Sequence, residues 1–160
     1  MLRPMQSDVS GPLRPWEPTL AVLGLIATVA ALAFLLARRE LLAAGPGGWA
    51  LQTAAVALWL WSRATLGRRS LNPTPEPTAG GLVMHGPYRW WRHPLYASII
   101  WFALATAISR QSAATITALV VTGAGLGVRM WAEERQLSRA FPEDYPAHAA
   151  RTKRLLPGIW

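Results

Sequence analysis

TLAVLGLIATVAALAFLLA, residues 19–37, is the stretch that decides the fold class. No residue between Glu17 and Arg38 is charged, and the 19 residues come close to the ~20 that a helix needs to cross a ~30 Å hydrocarbon core. A cleaved signal peptide would have a shorter apolar centre, so the length of this run, followed at once by Arg38-Arg39, reads as an uncleaved membrane helix. Composition agrees. Of 160 residues 52% are apolar and only 15% charged, where an ordinary soluble domain carries about 25% charge, so a lipid-facing surface is expected. A disordered chain is excluded by the same balance, since disorder needs low hydrophobicity with high net charge.

Three further runs follow. After Glu40 an uncharged stretch reaches Ser62, interrupted by Gly45-Pro46-Gly47-Gly48, which predicts a turn and a second helix from about Trp49 to Leu66. Residues 67–92, with Asn72-Pro73-Thr74-Pro75-Glu76-Pro77 and Gly80-Gly81, are too polar and turn-rich to span a bilayer and predict a loop. Runs at Pro94–Ser109 and Ser112–Val128 flank Arg110-Gln111 and predict a tight helical hairpin, with Pro94 in a first turn. Beyond Val128 the pattern becomes amphipathic, so the fourth helix is expected to extend past the membrane surface until Phe141-Pro142 breaks it. The fold class is therefore an all-α integral membrane protein of four main transmembrane helices with a cytosolic loop and a C-terminal helical extension.

The net charge of +8 has two readings, nucleic acid or the positive-inside bias of a membrane protein, and the second is preferred, with no nucleic-acid partner expected. With the N-terminus inside, 13 of the 16 basic residues face the cytoplasm and only Arg38, Arg39 and Arg110 lie outside. A multi-pass protein with both termini cytoplasmic is expected, placed in a bacterial inner membrane. The chain has no cysteine, which excludes disulfides, thiolate metal sites and a cysteine nucleophile. His85, His93 and His148 show no metal-ligand spacing, so no metal is expected. Gly123 and Gly127 form a Gly-xxx-Gly expected to mark close helix packing, and the basic tail from Arg151 to Arg154 reads as a solvated face that can meet anionic lipid heads.

Two constellations carry possible chemistry. Met84 to Tyr96 concentrates arginine, histidine and tyrosine at the start of the third helix, which suits an anionic or polar ligand near free backbone N–H groups and equally suits a juxtamembrane anchor. Arg129 and Glu133 are four residues apart on one helical face, either as an ion pair or, with Glu134, as functional carboxylates beside a membrane helix end.

Gly86-Pro87-Tyr88-Arg89, Arg92-His93-Pro94-Leu95-Tyr96 and Glu133-Glu134, in this order and spacing, resemble the isoprenylcysteine carboxyl methyltransferase and phospholipid methyltransferase superfamily over residues 65–158. The resemblance implies a membrane methyltransferase using S-adenosylmethionine, with the cofactor pocket at the cytosolic face under the loop and tail. It implies residues 1–66 as an N-terminal segment with two helices and residues 67–160 as the methyltransferase core. Cofactor contact is implied for Gly80, Gly81, Leu82, Val83, Tyr88, His93, Pro94, Leu95, Tyr96, Glu133 and Glu134. Arg129 is implied to face the acceptor and is paired with Glu133 as a catalytic candidate. Ser98 departs from the family, which often has glycine at that place. The expected partners are membrane lipids and a lipophilic acceptor such as an isoprenylcysteine carboxylate, with a phospholipid amine or a small thiol as other acceptors. Two other functions stand beside it, an NADPH-dependent membrane reductase and a non-enzymatic membrane subunit.

Overall fold

A computed structural model describes residues 16–67 and 81–155. Five α-helices make up its regular structure: α1 (Trp16–Ala37), α2 (Gly45–Leu66), α3 (Pro94–Arg110), α4 (Ala113–Ala140) and α5 (Asp144–Arg151), with a short 3-10 turn at Gly86–Arg89. No strand of a sheet occurs among the described residues; Trp91 and Lys153 form an isolated parallel bridge. The fold is all-helical, as the sequence implied.

α1 and α4 are long and apolar enough to cross a membrane, and α3, at 17 residues, is a shorter apolar helix. Only 22% of the apolar window of α1 and 39% of that of α4 is buried within the protein, whereas a core helix of a soluble protein is mostly buried. Leu20, Leu23, Ile26, Val29, Phe34 and Leu36 all point outward from α1, which places an apolar surface where lipid would cover it. α2 is as long as α1 but is diluted by Gln52, Ser62, Arg63 and Thr65. It begins at Gly45, four residues before the expected Trp49, because Pro46 is tolerated in a first turn and Gly45 takes φ +74° to reverse the chain. Gly48 belongs there for another reason, since a Cβ would lie 2.8 Å from that of Ala43.

The packing order is not the chain order. α1 lies along α4, α2 along α3, and α3 also packs on α4. The α3–α4 hairpin turns on Gln111 in the left-handed region, and Ser112 caps α4 by accepting from Thr115 N–H at 3.2 Å. At the other end of this hairpin Tyr96, Leu126 and Met130 form a buried apolar cluster with Leu95, Ile99 and Ile100 around it.

Where α1 meets α4 the close contact is Gly24 against Gly125, and a Cβ on Gly125 would lie 2.5 Å from the Gly24 carbonyl oxygen. Gly123 and Gly127, the pair expected to pack, have open space around them within the chain. Helix rotation explains the correction, because Thr122, Gly125, Leu126 and Arg129 form the buried stripe and glycines 123 and 127 flank it. Gly125→Ala is therefore expected to lower unfolding stability by about 1–3 kcal/mol through overpacking. Gly123→Ala, free of any clash, is expected to raise it by about 0.5–1 kcal/mol, both read by thermal or denaturant unfolding in detergent.

Candidate functional site

Counting from Ala113 the ~20 residues that a hydrocarbon core asks for brings α4 to about Ala132, and Glu133 and Glu134 follow directly. Opposite them stands the start of α3. Pro94 has no N–H to leave unsatisfied in a first turn, and His93, its N-cap, is fixed by its own N–H donating to the Arg154 carbonyl at 3.4 Å. Just before it, the 3-10 turn buries Pro87 and Tyr88.

Five side chains meet across this junction. The Tyr96 hydroxyl donates to Glu133 Oε1 and accepts from Arg129 Nε at 2.7 Å, and Arg129 Nε also lies 3.6 Å from Glu133 Oε1. His93 reaches both carboxylates, with Nδ1 3.5 Å from Glu133 Oε2 and Nε2 3.3 Å from Glu134 Oε1. Its ring stacks on Tyr96 with centroids 5.6 Å apart. His93, Tyr96 and Arg129 are all buried, while the two glutamates keep partial exposure. An i,i+4 ion pair does form between Arg129 and Glu133, yet it is embedded in a larger network.

The titration of these groups follows from that geometry. Burial opposes a charge on His93, but its hydrogen bonds to Glu133 and Glu134 outweigh burial and raise its pKa above the ordinary 6.5. Burial also opposes ionised Glu134, and the hydrogen bonds from His93 and Arg154 overcome it, holding the carboxyl down at about 2. Burial, helped by the Glu133 charge, pushes the Tyr88 hydroxyl up, so it stays protonated.

The tail is part of this site. Arg154 holds Glu134 with two hydrogen bonds, Nε to Oε1 at 2.9 Å and Nη2 to Oε2 at 2.6 Å, a fork geometry that only arginine offers. Its backbone is strapped down beside it, with Arg92 N–H donating to the Lys153 carbonyl at 2.7 Å and Lys153 N–H to that of Trp90 at 3.0 Å. The expectation of a solvated basic tail is thus corrected at Arg154. Arg154 is drawn in because Glu134, packed next to buried His93, needs a cation. A second ion cluster ties α1 to α4: Glu17, 1% exposed, lies 3.1 Å from both Arg135 and Arg139. Trp16 stacks on Trp131 beside it, and Arg135 covers the Trp131 ring.

Of the residues singled out from sequence, His93, Tyr96, Arg129, Glu133 and Glu134 come together directly. Tyr88 joins through the Glu133 charge, and Pro94 and Leu95 supply the buried start of α3. Leu82 and Val83 are half-buried in an irregular lead to the 3-10 turn, and Gly81 there has φ +77°; Gly80 lies outside the described residues. Ser98 is buried, its hydroxyl bonded to the Leu95 carbonyl at 2.6 Å, and lines an apolar cavity of about 110 Å³ with Leu32, Ala55, Val56, Trp59, Ile99 and Phe102. Sequence reasoning gave no site role to Arg92, although it stands in the motif, nor to Arg154 in the basic tail or to Glu17. For Glu17 there was a signal, an acid at the edge of an apolar run with Arg135 and Arg139 one turn apart on another helix.

Comparison with protein families finds one match, the family described as isoprenylcysteine carboxyl methyltransferase (ICMT), over residues 51–139. It takes in most of α2, the turn, α3 and nearly all of α4. Neither the curated proteins nor the solved structures contain a match.

Proposed function

The chain belongs to the isoprenylcysteine carboxyl methyltransferase family, a family of membrane methyltransferases, and from that premise we propose that it transfers a methyl group from S-adenosylmethionine to the carboxylate of a lipophilic acceptor such as an isoprenylcysteine. We place the reaction in the 67–160 core, at the cytoplasmic face of four membrane helices with both termini cytoplasmic, in a bacterial inner membrane. The 13 to 3 partition of basic residues supports that orientation. The observation that carries the reading is the Arg129–Tyr96–Glu133–His93 network, which gathers family-motif residues from α3 and α4 at one membrane boundary.

These residues suit the cofactor. A carboxylate and tyrosine faces attract a cationic sulfur, and the partly exposed Glu133 is bonded by the Tyr96 hydroxyl and lies 3.6 Å from Arg129. When bound, S-adenosylmethionine supplies a methyl group on positive sulfur, which leaves as a neutral thioether as a carboxylate oxygen takes the methyl in line. An acceptor carboxylate is already ionised, so no base is required. What the chain contributes is placement and exclusion of water. Tyr88, His93, Tyr96 and Glu133 hold the cofactor side, with Pro94, Leu95 and the 80–83 segment as its apolar and backbone wall. Arg129 holds the acceptor. Glu134 acts through the tail, since both its oxygens are bound by Arg154.

Calorimetric titration of the detergent-solubilised protein with S-adenosylmethionine and, separately, NADPH tests the reading. Binding of the first alone is expected. NADPH binding without S-adenosylmethionine binding would turn the assignment to a reductase, and binding of neither would favour a non-enzymatic subunit.

A further inference from the structure

α1 and α2 are joined by a short loop, yet α1 lies along α4 and α2 along α3. A cleft is left between the two, with α3 as its back wall: the cavity of about 110 Å³ beside Ser98 is lined by Leu32 from α1, Val56 and Trp59 from α2, and Ile99 and Phe102 from α3. Val56 and Trp59 are 44% and 38% exposed, so they stand at its mouth. The Ser98 hydroxyl is spent on the Leu95 carbonyl at 2.6 Å, and the wall offers almost only carbon. This cavity shares a wall with the candidate site. Ile99 lines it and also packs on the buried cluster of Tyr96, Leu126 and Met130, and the Tyr96 hydroxyl holds Arg129 Nε at 2.7 Å. Ser98 to Phe102 follow Tyr96 in α3, roughly 3–9 Å further along the helix and away from its start at Pro94.

Size selects the occupant. A cavity of ~150 Å³ lined by leucine, isoleucine and phenylalanine admits benzene, so this smaller one holds about five or six carbons, and a long polyprenyl chain does not fit. Lipid tails are as apolar as the wall, so a chain gains little by leaving lipid for the cavity. What the cavity gives is position, because a chain seated there fixes the depth at which the acceptor's carboxylate stands beside Arg129. We propose, resting on the methyltransferase reading above, that the cavity holds the apolar group of the acceptor and that its size makes a short branched chain of about five carbons the preferred one.

The test measures methyl transfer from S-adenosylmethionine to N-acetylcysteine carrying an S-prenyl, S-geranyl or S-farnesyl group, each at the same mole fraction in detergent micelles. Wild type is expected to show kcat/KM about tenfold higher for the S-prenyl compound than for the S-farnesyl compound. Val56→Phe narrows the mouth and is expected to lower S-prenyl transfer about tenfold, whereas Trp59→Ala widens it and is expected to bring S-farnesyl transfer up to the S-prenyl rate. Both positions are partly exposed, so the fold tolerates either change, and calorimetric affinity for S-adenosylhomocysteine is expected to stay at the wild-type value in both. Wild-type transfer to the S-farnesyl compound as fast as to the S-prenyl one, a chain preference that neither variant alters, or a loss of S-adenosylhomocysteine affinity in step with transfer would each overturn the inference while leaving the methyltransferase reading in place. Wild-type protein that methylates none of the three and does not bind S-adenosylhomocysteine would overturn both.

Discussion

Arg129→Lys is expected to lower methyl transfer by roughly 100-fold or more while changing S-adenosylmethionine affinity little, the scale at which removing one positioned charged donor acts on a reaction. Arg129 Nε is anchored by the Tyr96 hydroxyl at 2.7 Å and lies 3.6 Å from Glu133, so the plane of the guanidinium is set by two neighbours. Lysine keeps the positive charge near Glu133 but has no fork and no Nε to bond Tyr96. An acceptor carboxylate would then meet a point charge in place of a planar pair of donors. Arginine is also expensive to bury near lipid unless anions meet it, and Glu133, 3.6 Å away, is one such anion. Turnover with a prenylcysteine acceptor and calorimetric cofactor affinity, measured on one preparation, check the result. Parallel loss of both would place Arg129 in the cofactor pocket and end the proposed division of labour.

Glu134→Gln is expected to have the largest effect on stability, about 3–5 kcal/mol, because it removes the anion on which Arg154, Arg92 and His93 converge and leaves their charges partly buried. The side chain is only 15% exposed, so solvent does not screen the loss as it would at a surface pair. Released from Glu134, the 152–155 strap should open to trypsin at Arg151, Lys153 and Arg154, whereas wild type resists. Replacing both partners, Glu134→Met with Arg154→Met, should recover only the part of the loss that comes from Arg154, since Arg92 and His93 still lack the Glu134 carboxylate. Chemical unfolding in detergent and timed digestion read both effects. A Glu134→Gln protein that unfolds like wild type and keeps its tail protected would show that the strap is held by its backbone bonds alone.

How much of this was legible in the sequence varies with the physics of each element. α1 was, because the absence of charge between Glu17 and Arg38 is a local property. So was the α3 start at Pro94, and the run from Ser112 located the start of α4 to within one residue, since both depend on backbone chemistry within a few residues. The cluster was legible as a motif, His93 and Tyr96 with Glu133 and Glu134, though not as a network. Arg154 could not be read, since a lone arginine in a basic tail gives no sign of a partner 20 residues upstream. The glycines misled for a similar reason: Gly123 and Gly127 match a packing pattern, while Gly24 and Gly125 make the contact, and only the rotation of α4 against α1 distinguishes them.

The bond from Arg139 to Glu17 spans 122 residues, and this separation sets a timetable for assembly. At ~5–20 residues made per second, roughly 6–24 s pass between the synthesis of Glu17 and that of Arg139. Through that interval α1 has neither its arginines nor the glycine face of α4. α2 and α3, which are neighbours in sequence and pack on each other, can pair as soon as α3 is made. α1 is then the last seam to close, although it is made before the other described helices. A carboxylate in the middle of a waiting helix would have to sit unpaired in hydrocarbon. Glu17 is instead the second residue of α1, at the very end of the apolar run, the place in such a helix nearest to water while α4 is still to be made.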